Sequence, residues 1–297
     1  MKWRELRKEM PWSGETAEEK ATLPLLFEPG TGWMYGCGLE WVGKLIERVN
    51  GIGLEEYMKK NIWDPLGIND ISFWPRANKD MKDRIADLSV IGPDGNAVDC
   101  PEFDLIFGSK DCLGGGGAFG SAGGYMTILE AVLREDDRLL RKESWTEFWK
   151  PQLNEKCKEA FNKLCLESEE MNNFLSINMP KETKKNFCLG GMLVEDELEG
   201  WVNRGTVLWG GVPCVIWVSC PILYLKYCGL TKVVYRQKGW IVRSGCKSNA
   251  PSNGAANHET SQGFPTWSLQ VEGITKRTSR LGFELVMRVV DLTSITG

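Results

Sequence analysis

Phe27-Glu28-Pro29-Gly30-Thr31-Gly32-Trp33-Met34-Tyr35-Gly36-Cys37-Gly38 runs straight into an amphipathic helix. Proline presets φ for the first central position of a turn and glycine accepts the left-handed second, so Pro29-Gly30 predicts a tight turn. A short strand-like segment then leads to the helix N-terminus, with Tyr35 on a glycine-rich corner. In the helix, Leu39, Val42, Leu45, Ile46 and Val49 recur at helical spacing, with Glu40, Lys44, Glu47 and Arg48 on the other side. Asn50-Gly51 stops it. By itself Tyr35 reads equally as a core or surface residue in a turn.

Two further stretches share this texture. Asp111-Cys112-Leu113-Gly114-Gly115-Gly116-Gly117-Ala118-Phe119-Gly120-Ser121-Ala122-Gly123-Gly124 leads into a helix with Tyr125, Ile128, Leu129 and Val132 on one face. Gly115, Gly117 and Gly120 satisfy G-x-G-x-x-G, and Asp136 lies about twenty residues on. A dinucleotide site would need a buried strand in front, whereas Phe107-Gly108-Ser109-Lys110-Asp111 is loop-like. Close backbone packing under an active-site floor is expected instead, and no cofactor. Val207-Leu208-Trp209-Gly210-Gly211-Val212-Pro213 reads as an edge-like strand ending in two glycines. Its exposed N–H groups can polarise a carbonyl as an oxyanion hole, or the strand can simply end in a turn.

Between these stretches the spacing predicts a short helix over 54–62 and another over 156–166. Ser144-Trp145-Thr146-Glu147 matches a capping box and predicts a helix opening there. Residues 187–194, 206–209 and 215–217 read as strands separated by glycine and proline. Residues 71–113 are rich in Asp, Pro and Gly and are expected to form a long lid or binding loop.

Composition removes several classes of function. The 297 residues are 42% hydrophobic and 26% charged, which fits a packed domain. No apolar run is long enough to span a membrane, and the charged N-terminus does not look like a secretory signal. Ten Cys without a C-x-x-C pair, together with the single His258, argue against a zinc site and against Cys-His or Ser-His catalysis. Reduced thiols and the lack of an N-x-S/T acceptor suggest a cytoplasmic chain. The net charge of −4 hides an asymmetry, because residues 218–297 hold 10 Lys/Arg against 4 Asp/Glu. Those basic residues form no compact cluster and no stacking pattern, so nucleic acid is not an expected partner.

Together, PLLFEPGTGWMYG (24–36), LEWVGKLIERVNGIGLEEYMKKNIWDPLGI (39–68), GGGGAFGSAGGYMTILEAVL (114–133) and LWGGVPCVIW (208–217) resemble the class C β-lactamase and penicillin-binding-protein-like serine hydrolases. Within that family they look most like the fungal esterase and acyltransferase branch. The resemblance implies a mixed α/β fold, an antiparallel sheet flanked by helices plus a helical region, incomplete in this chain. The helical region would cover residues 1–166, and the sheet would take strands from 187–217. An incomplete sheet predicts exposed edges and poor solubility.

The resemblance also implies acyl-enzyme chemistry on a small ester or thioester, with an acyl carrier as a possible partner. A serine in S-x-x-K would be the nucleophile, and Tyr35 would share the proton work with the lysine. Trp209, Gly210 and Gly211 would form the oxyanion strand. Two positions depart from the wider pattern: Cys37 stands where the family has Asn, and Trp209 where it has Lys or His, which weakens a β-lactam substrate. The only S-x-x-K here is Ser244-Gly245-Cys246-Lys247, after Tyr35 and in a polar stretch. With 16 Ser and 22 Lys, about one such match arises by chance. The expectation is therefore a family enzyme that is inactive as written, or else a non-catalytic remnant or binding module.

The tail differs in texture. Residues 244–266 are Ser, Asn, Gly and Ala with little to bury, and the stretch after Trp217 does not resemble the family's ending. Residues 1–217 are expected to be the partial hydrolase domain, and 218–297 a divergent, poorly ordered basic tail joined at a seam.

Overall fold

The computed structural model describes residues 2–230, apart from Pro11, Leu105, Phe107, Asn178 and residues 92–95, 101–103, 200–201, 212–214 and 221–224. His258 and the Ser244 motif lie outside the described residues, as does the rest of the tail beyond residue 230. The architecture is the mixed α/β arrangement expected.

Among the described residues, eight α-helices precede the main sheet: α1 Lys2–Leu6, α2 Ala17–Ala21, α3 Gly38–Asn50, α4 Leu54–Met58, α5 Ala122–Leu133, α6 Lys142–Phe148, α7 Glu155–Glu167 and α8 Glu169–Ser176. A π-helical turn, Lys59–Trp63, extends α4. Four short strands lie among the helices: β1 Ile71–Ser72, β2 Ser89–Ile91, β3 Ala97–Asp99 and β4 Phe119–Gly120. They form two antiparallel pairs, β1 with β4 and β2 with β3. The span read as one long loop therefore contains a hairpin and a strand that pins the glycine-rich run.

The main sheet is a five-stranded antiparallel meander: β5 Lys185–Cys188, β6 Gly191–Val194, β7 Val207–Gly211, β8 Val215–Cys220 and β9 Leu225–Leu230. Residues 187–194 are a hairpin, because Leu189-Gly190 lets the chain reverse between Cys188 and Gly191. Gly191 has φ +148, and a Cβ there would lie 2.9 Å from the Trp217 ring. Six residue pairs join β8 to β9. The sheet thus continues past residue 217, and the compositional boundary at Trp217 falls inside a strand.

Local chemistry explains most helix ends. Gly51 ends α3 at φ +68, as Asn50-Gly51 predicts. Asn154 and Ser168 cap α7 and α8 through their side chains, each satisfying an otherwise unpaired N–H. The capping box read at Ser144 is not one: α6 starts at Lys142 behind Arg141, with no side-chain cap. Ser144 falls inside the first turn, and the helix is set by burial of Trp145. A true capping box occurs at Thr16 and Glu19.

The glycine-rich run packs against α3. Gly114 lies against the Leu39 carbonyl, Gly115 against the Glu40 carboxylate and Gly120 against Ile71. The glycines therefore serve close backbone approach, as expected. This reverses the usual logic of the helix: Glu40 and Gly43 are its buried residues, while Trp41, Val42, Leu45 and Val49 are exposed. Lys44 bridges Glu18, Glu47 and Asp111, tying α2 and the start of the glycine run to α3. The hydrogen bond to Glu47, reinforced by the charges of Asp111 and Glu18, holds the Lys44 ammonium above the ordinary lysine range.

The main core lies between the sheet and α5, α7 and α8, and includes Trp33, Phe161, Phe187, Met192, Leu208, Trp209 and Trp217. Lys185 is fully buried on β5, its Nζ donating to the Lys181 carbonyl at 3.4 Å. Burial lowers its pKa. The folded state then holds this proton less tightly than the unfolded chain, so stability rises with pH from the depressed folded value to the unfolded one near 10.4. Lys185→Met removes the buried charge. It is expected to raise stability at neutral pH by about 1 kcal/mol and to flatten that pH dependence. Urea denaturation across the alkaline range checks both; a lower midpoint for the variant at pH 7 would contradict the assignment.

Candidate active site

The Tyr35 corner follows from the sequence around it. The Thr31 N–H donates to the Glu28 carbonyl at 3.1 Å and Gly30 has φ +78, so residues 28–31 form the turn that Pro29-Gly30 predicts. Asn154 ties this turn to α7, donating from Nδ2 to the Gly30 carbonyl at 3.0 Å while its Oδ1 accepts from the Cys157 N–H. Phe27 folds back over Gly32, where a Cβ would meet its ring at 3.0 Å.

Trp33 anchors the segment in the core. Its ring lies 4.5 Å from Phe161 and 5.6 Å from Phe187, centroid to centroid. Alternation along the extended chain then sends Trp33 and Tyr35 the same way. Tyr35 stacks on Trp209, with centroids 6.2 Å apart and planes 23° from parallel. Phe174 meets Tyr35 edge-on at 5.4 Å. The fold therefore brings together Tyr35 and Trp209, two of the residues singled out from the sequence.

Trp209 pairs directly with Trp217 across β7 and β8. Both rings are buried, and neither indole N–H finds a hydrogen-bond partner among the described residues. Gly210 and Gly211 follow on the same strand, opposite Ile216 and Val215, and are only partly buried. Cys37 is the N-cap of α3 and makes no side-chain cap there.

Phe174 and Phe187 support the tyrosine and the strand, and neither was singled out from the sequence. For Phe174 a signal existed: Ser168 followed by Glu169 and Glu170 is an N-cap with an acidic first turn. Burial pushes the Cys112 thiol up to about 11 and also raises Cys165 and Cys188, so all three are protonated at neutral pH.

A beta-lactamase family profile matches residues 2–162, more than half of the chain. The chain belongs to the beta-lactamase family. Its relatives place it in the fungal esterase and acyltransferase branch. It is 36% identical over 202 residues to a lovastatin esterase of Penicillium rubens, covering 67% of this chain and 50% of that protein. It is 32% identical over 223 residues to the ML-236A carboxylate methylbutanoyltransferase of Penicillium citrinum, covering 73% of this chain and 51% of that protein. Among solved structures it resembles unliganded simvastatin synthase from Aspergillus terreus, with a TM-score of 0.66 and 31% identity over 71% of this chain and 52% of that one. The chain thus spans about half the length of the beta-lactamase-family relatives it matches. Among the described residues, no helix is long and apolar enough to cross a membrane.

Proposed function

We propose that this chain supplies the proton-transfer tyrosine and the oxyanion strand of a serine esterase or acyltransferase for small esters or thioesters, working in the cytoplasm and drawing on free or carrier-borne acyl groups. The stacking of Tyr35 on Trp209 carries the proposal, because it sets a phenol beside a strand end with two glycines. In the reaction, a serine hydroxyl attacks the acyl carbonyl and passes its proton to Tyr35. Backbone N–H groups at Gly210 and Gly211 would receive the charge developing on the carbonyl oxygen. The leaving alcohol or thiol takes the proton back, and water or a second alcohol then releases the acyl group by the same steps in reverse. A phenol with a pKa near 10 serves as base at neutral pH only when a cation favours its phenolate, the role of the lysine in S-x-x-K.

Residues 1–297 hold no S-x-x-K ahead of Tyr35, so the chain by itself is proposed to be inactive. Loss of the nucleophile removes nearly all of a rate enhancement of this type. With p-nitrophenyl butyrate the full chain is expected to give no turnover above buffer, and a fluorophosphonate probe is expected to label no serine. Turnover that disappears in Tyr35→Phe would overturn the inactive reading. Labelling at Ser244 would make that motif the nucleophile.

A further inference from the structure

Helix α8 ends in strain. Its C-cap, Ile177, has φ +53 and ψ +47. β-Branched residues rarely adopt the left-handed region, and one stays there only where its surroundings hold it. Here the hold is apolar, because the half-buried Ile177 packs against the main core.

The chain around it leaves buried polar groups unpaired. Asn172 donates from Nδ2 to the Met179 carbonyl at 2.7 Å, yet its buried Oδ1 accepts nothing among the described residues. The Thr183 N–H donates to the Pro180 carbonyl at 3.0 Å, while its hydroxyl is buried without a partner among those residues. Thr183 and Lys185 alternate inward around exposed Lys184. The Lys185 Nζ, with up to three donors, reaches back toward the same turn for its long contact with the Lys181 carbonyl. A buried polar group without a partner costs free energy that contact with water would return. Backbone strain and unpaired groups thus collect on one segment, and opening that segment to solvent relieves them together.

The segment also reaches the candidate site. Phe174 lies in the last turn of α8 and meets Tyr35 edge-on. The same turn is tied to α7 by a weak contact, Ser176 Oγ to Cys165 Sγ at 3.5 Å. We infer that the last turn of α8 and its connection to β5 form a strained latch that opens as a unit, and that opening withdraws Phe174 from Tyr35. Closed, the packed Ile177 side chain holds the latch. Open, Asn172, Thr183 and Lys185 are hydrated and the backbone of Ile177 relaxes.

Native-state hydrogen exchange on the full chain, at a series of low urea concentrations, reads the opening. Amides of Leu175, Ser176 and Met179 are expected to exchange at least about a hundredfold faster than those of β6 and β7, with little dependence on urea. Thr183→Val removes the unpaired hydroxyl without changing the side-chain shape, and should slow the α8 amides about tenfold. Ile177→Ala keeps the left-handed backbone but loses the packed side chain, and should speed them by about the same factor. Tyr35 is followed in the same proteins by fluorine NMR of the fluorotyrosine-labelled chain, its signal assigned by loss in Tyr35→Phe. The population of its minor state should fall in Thr183→Val and rise in Ile177→Ala.

Equal rates and urea slopes in α8 and the sheet would overturn the inference, because α8 then opens only with the whole fold. Faster exchange in Thr183→Val would overturn it too, by showing that the hydroxyl is paired through buried water. A Tyr35 signal indifferent to both variants would overturn the link to the candidate site. Where Ile177→Ala does not fold, Thr183→Val carries the test. These readouts need no turnover, so the latch is tested apart from the chemistry proposed for Tyr35.

Discussion

Phe187→Ala is expected to cost about 3–5 kcal/mol of folding stability. Phe187 is fully buried on β5 and touches three rings: Trp33 at 5.6 Å, Phe161 at 5.1 Å and Trp209 at 5.3 Å. Truncation removes the apolar burial and leaves a ring-sized cavity. The neighbours cannot close it easily, because Trp33 is tethered by the turn at residues 28–31 and Trp209 by pairing with Trp217. A typical domain has about 5–15 kcal/mol in all, so the variant should be near the limit of folding. Phe187→Leu refills most of the volume and should recover more than half of the loss. Urea unfolding followed by tryptophan fluorescence measures both. A loss below about 1 kcal/mol for the alanine variant would mean that this core is not assembled as described.

The same residue shows why the site was only partly legible. Local signals read well where a segment carries its own reason to fold. The Pro29-Gly30 turn, the Asn50-Gly51 stop and the glycine-rich run each behave as their residue chemistry dictates. The strands around residues 187–194 and 206–217 were legible too, because glycine and proline punctuate β-prone runs. The stacking of Tyr35 on Trp209 joins positions far apart in sequence. No periodicity encodes such a contact, so the pairing entered only through resemblance to a family. Phe187 escaped notice for the same reason, since an aromatic residue in a strand reads as generic core, and for Phe174 only the helix that carries it was signalled, by Ser168 and the acidic turn after it.

One misreading has a physical cause. Ser144 and Glu147 have the spacing of a capping box, but burial of Trp145 and the chain path from Asp136 start the helix earlier. The shift from acidic to basic composition at residue 217 lies within β8, whose residues 215–220 all pair with β9. The α3 helix is the instructive case. Its apolar periodicity identified the helix correctly but could not say which side faces this chain's own core. Glycine contacts fix that: Gly43 and Gly114 let two backbones touch, and the charged side goes inward with Glu40.

Those glycine contacts make a sharp test, because neighbouring glycines in one run should respond with opposite signs. A Cβ on Gly114 would run into the Leu39 carbonyl oxygen and lie 3.4 Å from the Gly43 Cα. Both are backbone atoms, so no side-chain rotation relieves the clash, and α3 must move off the loop. Gly114→Ala is expected to cost about 3 kcal/mol, at the upper end of overpacking effects. For a domain of this size that lowers the melting temperature by roughly 6–12 °C. Tyr35 lies three residues ahead of α3, so the displacement also reaches the site, and its contact with Trp209 should loosen. Gly123→Ala is the counter-case. Gly123 sits inside α5, and its added Cβ would meet only the Ser121 Oγ, at an ordinary 3.6 Å. Relief of the glycine entropy cost in a helix should make this variant more stable by about 0.5–1 kcal/mol. Thermal melts of the two variants beside the parent chain decide the matter. Equal behaviour of the pair, in either direction, would mean that the glycine-rich run is a flexible linker and not the surface on which α3 and Tyr35 are set.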